Sequence, residues 1–91
     1  MRTHEEIIEH LIKRYIVLEL LINYYYQKSI ELEDQHKRKE KKLCDETISE
    51  YQAEQREVIR TYAFIFDLSF IDSCGQLREE YVKEMKERGD K

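Results

Sequence analysis

Proline and tryptophan are absent from the 91 residues, and glycine occurs only at positions 75 and 89. Without proline or glycine clusters there is nothing to punctuate a series of short strands and turns, and no flexible linker to separate domains. Two cysteines, Cys44 and Cys74, cannot supply a disulfide framework. If one helix fills the segment between them, its rise of ~1.5 Å per residue sets them roughly 35–40 Å apart, far beyond disulfide reach. Two free thiols suit a reducing compartment. No long apolar run exists: residues 15–26 are broken by Glu19 and Asn23 and are too short to span a bilayer. The acidic start His4-Glu5-Glu6 does not resemble a signal-peptide head. The expectation is a soluble, cytoplasmic chain with no membrane partner. The formal charge of −4, with both signs interspersed, is neither the balance of a strongly basic nucleic-acid binder nor that of a DNA mimic.

What the chain does have is helix chemistry. Charged residues make up 40% of it, with Glu, Lys, Leu, Ile and Tyr prominent; this composition suits long helices with solvated outer faces. Ile8, Leu11, Tyr15, Leu18, Ile22, Tyr25, Ser29 and Leu32 recur in steps of three and four, a heptad-type seam that a strand could not present on one side. Around residues 16–22 the apolar character spreads to Ile16, Val17, Leu20 and Leu21, so this helix should be covered on more than one side.

Three capping-box patterns, Thr3-x-x-Glu6, Thr47-x-x-Glu50 and Ser73-x-x-Gln76, each precede an amphipathic run. They predict helices at about 4–42, 48–72 and 74–88 in a single domain, with Gly89 as a stop. The fold class is all-α: a long antiparallel helical hairpin and a short third helix at its C-terminal end. A turn at 43–46 aligns the apolar centres near residues 20 and 65. Two alternatives remain: a single helix running uninterrupted through residue 72 in an extended coiled coil, and a strand over Tyr62–Ile71, where Phe64, Phe66, Leu68 and Phe70 alternate with polar neighbours. The apolar excess on the first helix favours a homodimeric bundle in a chain this small.

No motif stands out as catalytic or metal-binding. Glu33-x-x-His36 has the spacing of carboxylate-bridged di-metal bundles, but it lies in the most charged part of the helix and reads as a solvated face. His4 and His10 form no second cluster, and neither cysteine has an assignable acid or base partner. No cofactor, metal or enzymatic activity is expected. The helix order resembles the small all-helical chorismate mutases, intertwined dimers whose long helix aims arginines and a lysine at two carboxylates. Here the corresponding interior holds Lys13, Arg14 and Lys28 at a different spacing, and Glu31 stands where Arg14 would need its second arginine. The resemblance covers architecture and carries no function.

The expected function is therefore that of a non-enzymatic protein-binding regulator, adaptor or inhibitor, of the kind mobile elements and phages carry. It would act by steric occlusion through an exposed aromatic helix face. Tyr24, Tyr26, Tyr51 and Phe64 are the candidate contacts, because a tyrosine ring joins apolar area to a hydrogen-bonding tip. The alternative is a nucleic-acid-associated regulator using the basic cluster 37–42, through Lys37, Arg38, Lys41 and Lys42.

Overall fold

The computed structural model describes residues 3–89, which form three helices: α1 His4–Asp34, α2 Arg38–Phe66 and α3 Phe70–Gly89. There is no strand among the described residues, and the stretch 62–71 closes α2 and opens α3. Helices α1 and α2 pack as a hairpin, and α3 returns to cover part of both.

The first capping box forms as expected: the Glu6 amide donates to Thr3 Oγ1 at 3.2 Å. The other two do not cap. Thr47 lies within α2 and its hydroxyl donates to the Leu43 carbonyl one turn back. Ser73, fully buried in α3, donates likewise to the Ser69 carbonyl. The residue that caps α3 is Ser69, whose Oγ accepts from the Asp72 amide at 3.1 Å.

The hairpin turn lies at Gln35–Lys37, not at 43–46, and α2 ends at Phe66, not at 72. Both breaks have one cause. His36 takes a left-handed conformation (φ 57°), its amide donating to the Glu33 carbonyl and that of Lys37 to the Leu32 carbonyl. Asp67 repeats the arrangement (φ 52°), with its own amide on Phe64 and that of Leu68 on Ala63. These are Schellman closures, which satisfy the last carbonyls of a helix and usually place glycine in the left-handed slot. Neither of the chain's glycines is there. Residues 37–42 therefore begin α2 rather than ending α1, so they sit at the positive end of a helix dipole.

The heptad seam is where the sequence places it. Leu11, Tyr15, Leu18, Ile22, Ser29 and Leu32 are buried, while Ile8 and Tyr25 are half-buried. Leu11 and Tyr15 meet Ile59 and Tyr62 of α2 and Leu77 of α3 in the main core, with Ile65, Leu68 and Cys74 packed around them. Leu18 and Leu77 are wholly excluded from solvent. Because the turn is at 36, the middle of α1 faces α2 near residue 55, and α3 supplies the remaining cover.

One carboxylate joins all three helices. Glu19 accepts from Gln55 Nε2 of α2 at 2.8 Å and from the Arg78 guanidinium of α3 at 2.9 Å, with its side chain 14% exposed. Nearby, Asn23 donates to the Tyr81 hydroxyl, and Arg78 lies over the Tyr81 ring. Burial, then the neighbouring Glu19, pushes the Tyr15 phenol above its ordinary pKa.

A candidate protein-binding groove and a basic tip

Polar links from α3 to α1 concentrate at Arg78 and Tyr81, and beyond them the two helices enclose an open groove of about 650 Å³. Its floor is Ile8, Ile12, Ile16 and Val17 on α1, an apolar strip that diverges from the seam at Ile8. The floor runs about 14 Å along the helix axis at ~1.5 Å per residue. The walls are charged: Glu5, Glu9 and Lys13 on one side, and Glu80, Lys83, Glu84, Glu87 and Arg88 on the other. Lys13 is held by Glu9 at 3.0 Å and Arg88 by Glu84 at 3.2 Å. Glu5, Glu80 and Glu87 then face Lys83 alone among the lining charges, so the groove is apolar below and acidic above.

The four aromatic candidates do not share a face. Tyr24 and Tyr26 are both exposed, at 60% and 56%, but two residues on a helix point about 200° apart. Tyr24 meets Tyr25 edge-on, with ring centroids 5.1 Å apart, and Tyr25 meets Tyr51 at 5.9 Å. Tyr51 is therefore half-buried packing within the hairpin. Phe64, 88% exposed, lies thirteen residues further along α2, about 20 Å away. Tyr26 lines a smaller recess of about 380 Å³ with Ile30, Lys41 and Asp45, which brings a member of each candidate set to one place.

At the tip, Lys37, Arg38 and Lys41 surround Glu33 and His36. His36 has left the helical register that the Glu33 spacing assumed, and it lines a recess with three cations. Among the described residues, no group of three His, Cys, Asp or Glu side chains stands in a metal-binding arrangement. Lys41 donates to Asp45 at 2.8 Å, and Asp45 also accepts from Ser29 at 2.7 Å. These two bonds, Lys41's first, hold the Asp45 carboxyl below its usual range. Lys37 approaches Glu40 at 4.0 Å, and Lys42 is exposed. The cations that the chorismate mutase resemblance would need do not converge: Lys13 pairs with Glu9, Arg14 reaches across to Glu54, and Lys28 is exposed.

Sequence reasoning missed the groove, although Ile8, Ile12 and Ile16 recur every four residues. That stripe leaves the seam at Ile8, and only the path of α3 decides which part of it stays uncovered. No helix among the described residues is long and apolar enough to cross a membrane. Comparison with known proteins finds no family model, no curated protein and no solved structure that matches the chain.

Proposed function

We propose that the chain is a non-catalytic protein-binding regulator that acts by covering a segment of its partner, and that its working surface is the groove between α1 and α3. The observation that carries this reading is the pairing of an apolar floor with acidic walls. An amphipathic helix from the partner fits such a groove, its apolar stripe on Ile8, Ile12, Ile16 and Val17. Lysines or arginines flanking that stripe meet Glu5, Glu80 and Glu87, which sets the partner's chemistry as basic and amphipathic. Neither Tyr24 nor Phe64 lines the groove: Tyr24 lies two turns beyond Val17 along α1, and Phe64 is on α2.

The test is a titration of the isotope-labelled protein with a synthetic Leu/Lys amphipathic helix of about 18 residues, read by NMR. Saturable shifts at the four floor residues are expected. Val17→Lys, at a 44% exposed position, should weaken binding by about tenfold or more with helix content unchanged. Shifts confined to residues 33–42, or affinity indifferent to Val17→Lys, would sink the reading.

A second reading, nucleic-acid association through Lys37, Arg38, Lys41 and Lys42, is favoured by one observation: the turn places this cluster at the positive end of α2. Lys41 is already engaged by Asp45, which weakens that reading. It requires affinity for a duplex or single strand that falls steeply with salt and vanishes on charge reversal of those four residues.

A further inference from the structure

The seam is not the only apolar line on α1. Val17, Leu20, Leu21 and Tyr24 stand at i, i+3, i+4 and i+7, and at ~3.6 residues per turn they share an arc of about 100°. That arc is centred roughly 130° from the seam. The side-chain bonds and ring contacts that tie α1 to α2 and α3 leave from Arg14, Glu19, Asn23, Tyr25 and Ser29, all outside it. Val17 is 44% exposed and Tyr24 60%, with Leu20 and Leu21 part-exposed between them. This is the spacing by which one helix receives another.

We propose that this second face of α1 is where two copies of the chain pair, antiparallel about a two-fold axis that passes between Leu20 and Leu21. The chain's own residues select that occupant. About such an axis Leu20 meets Leu20 and Leu21 meets Leu21 of the second copy, and the small Val17 lies opposite the broad Tyr24, twice. The charges at the ends match as well. Lys13 and Glu31 are eighteen residues apart, about five full turns, so both stand on one edge of the face. The two-fold brings Lys13 of each copy within about 4.5 Å, along the helix axis, of Glu31 of the other, inside the reach of a lysine side chain. Lys28 falls on the opposite edge. The antiparallel pair thus gains two ion pairs, whereas a parallel one sets Lys13 against Lys13 and Glu31 against Glu31. Of these residues only Lys13 and Val17 also line the groove, and the inference does not depend on what the groove binds.

Analytical ultracentrifugation between about 1 and 200 µM tests it, with circular dichroism as the check on folding. The unaltered chain should be a dimer, and Tyr24→Glu should associate about 30-fold more weakly or worse. Lys13→Glu and Glu31→Lys, both at exposed positions, should each weaken the dimer about tenfold. The double variant Lys13→Glu/Glu31→Lys should return to within about threefold of the unaltered chain. Should Tyr24→Glu lose helix signal, the charge variants alone decide. A monomer throughout for the unaltered chain overturns the proposal. So does a dimer indifferent to Tyr24→Glu, which another face must hold, and so do charge variants whose effects fail to compensate.

Discussion

His36→Gly should make the protein more stable, and Glu46→Gly should make it less so. His36 holds φ 57° as the left-handed residue that ends α1. For a residue with a Cβ that conformation costs about 1–2 kcal/mol. Glycine removes the cost but adds about 0.5–1 kcal/mol of backbone entropy to the unfolded chain. The net gain is about 0.5–1 kcal/mol, since the His36 side chain is exposed and gives up little packing. Glu46 is also exposed but lies within α2, where glycine costs about 1 kcal/mol. At about 4–8 °C per kcal/mol for a chain of this size, thermal melts at one fixed concentration should move up by roughly 2–8 °C and down by roughly 4–8 °C. Had the hairpin turned at 43–46, Glu46→Gly would be neutral or favourable and His36→Gly would be the damaging change. Shifts of the same sign, or in the reversed order, would refute the assignment of the turn.

Leu18→Ala, at a position with no solvent exposure, should cost about 2–5 kcal/mol in denaturant unfolding. Leu43→Ala, 63% exposed, should stay within about 0.5 kcal/mol and serves as its control. Glu19→Ala removes the acceptor of both Gln55 and Arg78 and should cost about 2–3 kcal/mol. Adding Arg78→Ala to it should cost less than Arg78→Ala alone; strict additivity would mean that the pair is not coupled. Tyr15 is held above its unfolded pKa mainly by burial, so its contribution is complete below about pH 10 and fades as pH rises toward the folded value. Melting temperature should therefore fall above pH 10, and Tyr15→Phe should fall less steeply across the same range.

The seam on α1 was legible because periodicity alone specifies which face is buried; its residues are buried or half-buried, whereas Val17, expected to be covered beside them, is 44% exposed. Helix ends were not. Thr47-x-x-Glu50 and Ser73-x-x-Gln76 match the capping pattern but sit inside helices, their hydroxyls bonding the preceding turn. The real stops carry His36 and Asp67 in slots where glycine is the usual marker. Ser69-x-x-Asp72 was a readable start, overshadowed by the neighbouring Ser73 pattern. The alignment of apolar centres at 20 and 65 misled for a related reason: it assumed that α1 is matched by α2 alone, whereas Leu77 of α3 shares the core. The groove needed the direction of α3, a property of tertiary packing that no local pattern encodes.

Glu19 stands near the middle of the most apolar part of α1, where an aliphatic side chain would add area to the core. Its two bonds reach helices on different sides, Gln55 and Arg78. A heptad seam is degenerate: sliding α1 by seven residues along its neighbours would return apolar positions to apolar positions. The carboxylate breaks that degeneracy. After such a slip, Glu19 would face a different turn of α2 and of α3, without its donors, and a half-buried carboxylate would be left unpaired at a cost of about 3–5 kcal/mol. A polar group in a helical core can thus act as a key for register. In this chain one glutamate keys two helices to a third at a single axial position, and the Ser29–Asp45 and Asn23–Tyr81 bonds hold the same register against α2 and α3.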